Sequence, residues 1–219
     1  MIKALIFDMD GVLLDSETLY KKSNTKLFES LGFKITDDQY QSLIGLSSSK
    51  IWETLISYAN LPNSVEEYKQ MEKDSKYQAL LEENLTAHAH LFDVLHHCKT
   101  QNIKMAIASM SSMKNIHLII KKLGIVSFFD AILSGENVVN GKPDPEIYIK
   151  AAYQLGVNPL ECLAVEDSHN GSKAAVAANI ACIGYINPGS GKQDLSHCFM
   201  TTDDYREILT HILNIKIND

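Results

Sequence analysis

Short apolar runs that stop abruptly at polar or glycine-containing turns recur along this chain. Residues 2–7 (IKALIF) form the first, and Lys104–Ser109 (KMAIAS), Ala131–Ser134, Cys162–Val165 and Ala181–Ile186 follow. The runs are continuous rather than alternating, which is the pattern of strands buried on both faces. Helix-like segments with readable ends lie between them. Ser111 or Ser112 can cap a helix running to Gly124, and Asp144-Pro145 can open one that closes at Gly156. Strands alternating with helices predict an α/β fold, a Rossmann-like parallel sheet with helices on both faces and a ligand site at the carboxyl ends of its strands. The polar residues that follow each strand are therefore the ones to inspect.

From about Ser16 to Thr86 the alternation breaks, and helix follows helix with no convincing strand. Glu17 to Leu31 places Tyr20, Leu27, Phe28 and Leu31 on one face and stops at Gly32, while Ser47 to Ala59 carries Ile51, Trp52, Leu55 and Ile56. Ser64 with Glu67 spells a capping box that opens a charged helix to about Glu83. The expectation is a small helical cap domain, residues 16–87, inserted after the first strand, with residues 1–15 and 88–219 forming the core domain. The crossings near 14–16 and 86–90 are the expected hinges, and the stretch from Thr202 reads as a terminal helix.

Composition narrows the class. With 219 residues, 45% of them apolar, the chain can bury a full core. A net charge of -7 and scattered lysines argue against nucleic acid or an anionic membrane as partner. A local cation and one lysine can still attract an anionic substrate into a pocket. No apolar stretch reaches the roughly 18 residues that span a bilayer. The start of the chain lacks the build of a signal peptide, so a cytoplasmic location is expected. Cys98, Cys162, Cys182 and Cys198 form no CxxC pair, and two of them fall in strand-like runs, which favours reduced, buried thiols.

Four clusters carry candidate chemistry. Asp8-Met9-Asp10-Gly11 sets two carboxylates two apart just beyond a buried strand, followed by a glycine that permits a tight turn. One could serve as nucleophile and metal ligand while the other moves a proton. Alone, the same four residues would read as a polar turn. Val165-Glu166-Asp167-Ser168 again places acids after a strand, and two acidic clusters at one sheet edge would repel unless a cation joins them. An oxygen-only donor set suits Mg²⁺. Ser109 offers a hydroxyl and a backbone N–H near a helix start, a cheap arrangement for phosphate. Gly141-Lys142-Pro143-Asp144-Pro145 sets a lysine in a proline-bounded loop, where a point cation could neutralise a phosphoryl group.

In this order, FDMDGVLLDSE (7–17), AS (108–109), GKPDPEIY (141–148) and VEDSHNG (165–171) resemble the signature set of the haloacid dehalogenase superfamily, in its beta-phosphoglucomutase-like branch. The resemblance covers nearly the whole chain. It implies that Asp8 is the nucleophile and that Asp10 protonates the leaving alcohol and later deprotonates the hydrolytic water. It also implies a Mg²⁺ ion held by the Asp8 carboxylate, the Asp10 backbone carbonyl and Asp167, with Glu166 bound directly or through water. Ser109 and Lys142 would hold the transferring phosphoryl group, with Gly11 and Met110 beside them in the substrate site. The implied enzyme is a phosphatase acting on a small phosphorylated metabolite such as a sugar phosphate, with a phosphomutase as the alternative; a monomer is expected, though the sequence does not itself fix the oligomeric state.

Two departures from the branch stand out. Ala89-His90 replaces the Pro-Gly common where the chain returns from the cap. Tyr20 and Ser48 stand where beta-phosphoglucomutases carry a histidine and an arginine that handle the sugar phosphate, and loss of that cationic contact favours hydrolysis over mutase chemistry. Other signals carry less. His88, His90, His96, His97 and Cys98 crowd one region, but His96 and His97 point about 100° apart on a helix and cannot easily share one ion. Gly189-Ser190-Gly191-Lys192 lacks the spacing of a phosphate loop and reads as a surface turn. Tyr20, Trp52 and Tyr58 at helical spacing read as core before they read as a substrate face.

Overall fold

The computed structural model describes residues 1–43, 46–191 and 193–215. In chain order it contains β1 (Ala4–Phe7), α1 (Ser16–Ser30), α2 (Asp37–Leu43), α3 (Ser48–Ala59), α4 (Val65–Glu82), α5 (Leu91–Thr100), β2 (Lys104–Ser109) and α6 (Met113–Lys122). Then come β3 (Ala131–Ser134), α7 (Glu146–Leu155), β4 (Cys162–Glu166), α8 (His169–Ala177), β5 (Ala181–Tyr185), β6 (Met200–Thr202) and α9 (Tyr205–Ile215). The chain divides into two compact units, Met1–Glu17 with Asn84–Asp219, and Thr18–Glu83.

The first unit is built on a six-stranded sheet, ordered β3-β2-β1-β4-β5-β6 and parallel at every pairing. β1 lies at the centre, with Phe7 opposite Ile107 on one side and Val165 on the other. All four of its residues are buried, which is why its sequence is apolar without alternation. Alternate residues face opposite sides. Ala4, Ile6, Ala106, Ala108 and Ala164 face a cluster that also holds Ile147, Ala151 and Ala152 of α7 and Ala174 and Ala175 of α8. The alanines let these helices lie close to the sheet. α5 packs on β2 and α9, which in turn packs on β6, so helices cover the sheet on both sides.

Helix ends follow the expected chemistry. Ser112, not Ser111, caps α6 by accepting from the N–H of Asn115, and Gly124 beyond its end has φ +71°. Gly156 closes α7 at φ +64°. One expectation needs correction at the edge of the sheet. Thr202 ends β6 rather than opening the terminal helix, which starts at Tyr205. Met200–Thr202 is too short and too polar to announce a strand, and it forms because β5 offers an unpaired edge. His90 takes φ +63°, the left-handed region that glycine occupies most easily. The four cysteines are free thiols, three of them buried. Among the described residues no helix is long and apolar enough to cross a membrane.

The second unit is a helical cluster around Phe28, Trp52, Leu55 and Tyr68, with the Trp52 and Tyr68 rings stacked at 5.0 Å. Ser64 and Glu67 form the capping box of α4. Within this apolar cluster sits one buried acid. Glu72 accepts from Trp52 Nε1 (2.8 Å) and Ser48 Oγ (3.2 Å) and pairs with Lys76 (2.6 Å), whose ammonium lies 5.2 Å from the Tyr20 ring. Burial pushes the Glu72 carboxyl up, but Lys76 and the two donors outweigh it and hold it below the usual range. Tyr20 and Ser48 thus both border this ion pair.

Trp52→Ala would empty the centre of this unit and take one donor from Glu72. The expected loss is about 3–5 kcal/mol, read by urea unfolding; a loss under about 1 kcal/mol would mean that Trp52 does not anchor the cluster.

Candidate active site

The order 3-2-1-4-5-6 reverses direction between β1 and β4, and parallel sheets bind ligands at the carboxyl edge of such a reversal. Asp8 directly follows β1, and its N–H bonds to the Val165 carbonyl of β4 (3.0 Å). The next turn is pinned from below by Met9, Val12, Leu13 and Leu14, all buried, and by Tyr205, whose hydroxyl donates to the Val12 carbonyl (2.7 Å). Gly11 sits in this turn at φ +78°, and a Cβ there would overlap Asp167 Oδ2 and come within 3.2 Å of Asn187 Nδ2. The glycine therefore permits both a left-handed turn and the close approach of a second loop.

Lys142 joins the pieces. Its ammonium donates to Asp8 Oδ1 (2.5 Å), Glu166 Oε1 (2.6 Å) and the Ala108 carbonyl (2.8 Å), which uses all three of its protons. Burial alone would push this lysine down, but Asp8 and Glu166 outweigh it and hold the ammonium above the usual lysine range. Glu166 is fully buried. Its Oε1 also accepts from the Tyr148 hydroxyl (2.8 Å), and its Oε2 accepts from the Asp167 N–H, the Ser168 N–H and Ser168 Oγ at 3.1–3.3 Å. Gly171 leaves room for this carboxylate, because a Cβ there would overlap it.

Asp10 turns toward β2. Its Oδ2 accepts from Ser111 Oγ (2.7 Å) and Ser109 Oγ (3.4 Å), while Ser109 Oγ accepts from the Ser111 N–H (3.1 Å). Because Ser112 takes the capping duty, the Ser111 hydroxyl is available to Asp10. Met110 is nearly half exposed and lies against Gly141, the residue before Lys142. Asp8, Asp10, Gly11, Ser109, Met110, Lys142, Glu166 and Asp167, scattered through the sequence, thus lie together around the ends of β1, β2 and β4. Sequence reasoning missed Tyr148, Ser111 as a partner of Asp10, and the loop after β5. Tyr148 stood in the sequence only as the last residue of GKPDPEIY, and in the fold it is a buried residue of α7.

The charges do not balance locally. Four carboxyls (Asp8, Asp10, Glu166, Asp167) surround one ammonium. Burial, then Glu166 and Asp10, push Asp8 up to about 7 although Lys142 opposes them. Burial, then Asp8 and Glu166, push Asp167 up to about 8. Asp8, Glu166 and Asp167 present oxygens within 4.8 Å of one another and are the one such group among the described residues. The histidine-rich segment provides none: His90 pairs with Asp93 (2.9 Å), and His96 packs edge-on against Phe128. An oxygen-only, surplus-negative cluster fits a hard divalent cation.

Fold and site define an enzyme of the hydrolase class with an acidic centre at the carboxyl edge of a parallel sheet. Residues 5–185 match the family described as haloacid dehalogenase-like hydrolase, and the chain belongs to that family. It is 33% identical over 182 residues to the Phosphorylated carbohydrates phosphatase of Thermotoga maritima, covering 82% of each chain. It is 30% identical over 190 residues to the Beta-phosphoglucomutase of Bacillus subtilis, covering 84% of this chain and 83% of that one. The crystal structure of beta-phosphoglucomutase from Clostridium difficile superposes with a TM-score of 0.77 over the whole of both chains, at 28% identity.

In the metal-free protein Asp8 and Asp167 bind protons on folding between their usual value near 3.8 and about 7 to 8. The native state then holds more protons than the unfolded one, so their contribution to stability falls as pH rises through that window. Urea midpoints in EDTA should decline from pH 5 to pH 8 more steeply in the wild type than in Asp167→Asn, and Mg²⁺ should reduce the difference. Parallel slopes for the two proteins would contradict the account.

Proposed function

We propose that this protein is a Mg²⁺-dependent phosphatase that hydrolyses a small phosphorylated metabolite, a sugar phosphate being the favoured class, through an aspartyl-phosphate on Asp8. The observation that carries the reading is the Asp8–Lys142–Glu166 junction at the end of the central strand, with Asp10 beside it and Asp167 across from it. The names of the two curated relatives, a carbohydrate phosphatase and a phosphoglucomutase, point to the same chemistry.

Lys142 favours the anionic form of Asp8 against the burial that raises it and aims one of its oxygens, and the other attacks phosphorus. The bond from phosphorus to the substrate oxygen breaks, and Asp10 gives that oxygen its proton. Asp10, now ionised, takes a proton from water as the water oxygen attacks the phosphorus of the aspartyl-phosphate. Inorganic phosphate leaves and Asp8 is restored. Ser109 and the N–H of Met110 hold the phosphoryl oxygens, with Gly11 leaving them room. Asp8, Asp167 and the Asp10 carbonyl would hold Mg²⁺, which supplies charge neutralisation for the phosphoryl oxygens when bound. Both oxygens of Glu166 already accept several hydrogen bonds, so its part is to hold Lys142 and to reach the ion through water. The helical unit is assigned the role of a cap domain that selects the leaving group. Hydrolysis is preferred to mutase chemistry because Ser48, which stands where the mutases carry an arginine, is engaged with Glu72.

Phosphate release from a panel of sugar phosphates and nucleoside monophosphates, in Mg²⁺ or EDTA, tests the reading. Release should require Mg²⁺, fall at least about 10³-fold in Asp8→Asn and fall about 10²- to 10⁴-fold in Asp10→Asn. Undiminished release by Asp8→Asn would contradict it, and isomerisation of a hexose 1-phosphate without phosphate release would favour the mutase.

A further inference from the structure

The segment after β5, read from sequence as a surface turn, reaches the acidic centre. Asn187 is buried, with 1% of its surface exposed, and its side chain organises the loop. Its Oδ1 accepts from the Gly189 N–H (3.3 Å), which fixes the amide so that Nδ2 faces Ser190 Oγ (2.8 Å) and Asp15 Oδ1 (3.4 Å). An amide nitrogen can only donate, so Ser190 accepts from it and the single hydroxyl proton of Ser190 is directed elsewhere. Its acceptor is Asp167 Oδ2, 2.8 Å away.

Gln193 completes the arrangement from the far side of the turn. Its Nε2 donates to the backbone carbonyl of Asp167 (2.6 Å) and to that of Tyr185 (3.1 Å), while its Oε1 accepts from the Asn187 N–H (3.0 Å). Both the main chain and the carboxylate of Asp167 are thus held by one loop. Gly11 and Gly189 leave room for this, because a Cβ at Gly11 would overlap Asp167 and one at Gly189 would overlap Asp15. Lys192 lies outside the described residues.

We propose that Asn187, Ser190 and Gln193 form a positioning clasp for the divalent-cation site, in which the Ser190 hydroxyl orients the Asp167 carboxylate toward the ion. The proposal rests on the Mg²⁺ reading above. Glu166 next door takes five hydrogen bonds from its own loop, from Lys142 and from Tyr148; among the described residues, Asp167 receives its carboxylate hydrogen bond from Ser190. A ligand carboxylate with its orientation set by one hydroxyl is sensitive to that hydroxyl, and outer partners of this kind typically govern about 10- to 100-fold in metal affinity. Ser190 touches neither substrate nor reacting atoms in this account, and acts through Asp167.

Direct Mn²⁺ binding to the substrate-free protein, followed by the loss of the free-ion electron paramagnetic resonance signal, provides a readout independent of turnover. Ser190→Ala should weaken Mn²⁺ binding about 10-fold or more and raise the Mg²⁺ concentration for half-maximal phosphate release by a similar factor. Ser190→Thr, which keeps the hydroxyl, should restore most of both, and thermal unfolding of each variant in EDTA reports whether it is folded. Wild-type Mn²⁺ affinity in a folded Ser190→Ala would overturn the clasp and leave the metal reading intact. A wild type that binds no Mn²⁺ would overturn both. Equal weakening by Ser190→Ala and Ser190→Thr would also overturn it, since the effect would then belong to loop packing rather than to the hydroxyl.

Discussion

The buried ammonium of Lys142 is the contact on which the rest of the site depends. It ties the end of β1 through Asp8, the end of β2 through the Ala108 carbonyl and the end of β4 through Glu166. Each of its three protons is used, and an unpaired ammonium at this depth would be far more costly than the pairs that hold it. Everything nearby is arranged around that requirement. Glu166 is held by backbone N–H groups of its own turn so that one oxygen stays on the lysine. Tyr148 presents its hydroxyl to the same oxygen and its ring to the ammonium at 5.1 Å.

One lysine cannot neutralise four carboxyls, and that imbalance links structure to chemistry. Asp8 and Asp167 are pushed up chiefly because they are buried among other acids. A divalent cation would relieve that imbalance, which is why the proposed chemistry calls for one. The two aspartates of the first turn are divided by their neighbours: Asp8 faces the lysine, whereas Asp10 faces the hydroxyls of Ser109 and Ser111. The proposed roles of nucleophile for Asp8 and proton carrier for Asp10 are consistent with those different surroundings.

Much of the fold was legible because its strands are short, apolar and buried on both faces, so each run and the polar residue behind it stand out. That the acids and Ser109 would meet was legible for the same reason, since parallel strands bring their carboxyl ends to one edge, whereas Lys142 stood out only through its proline-bounded loop. What escaped depends on geometry that one-dimensional pattern does not carry. Met200–Thr202 becomes a strand only because β5 leaves an edge open, and Asp37–Leu43 is a helix of seven residues with little periodicity. Tyr148 occupies an ordinary core position of α7, and nothing in GKPDPEIY says that its hydroxyl reaches Glu166. Ser190 touches Asp167 because β5 adjoins β4 and the loop folds back, while its sequence suggests only a turn.

The central claim is that Asp8 becomes covalently phosphorylated. The most direct test is to mix Asp10→Asn with a ³²P-labelled sugar phosphate that the wild type hydrolyses, quench in acid, and locate the label by peptide mapping. The account predicts a transient, acid-stable label on the peptide containing Asp8 and none in Asp8→Asn. Turnover with no protein-bound label at any time, or with label on another residue, would contradict it.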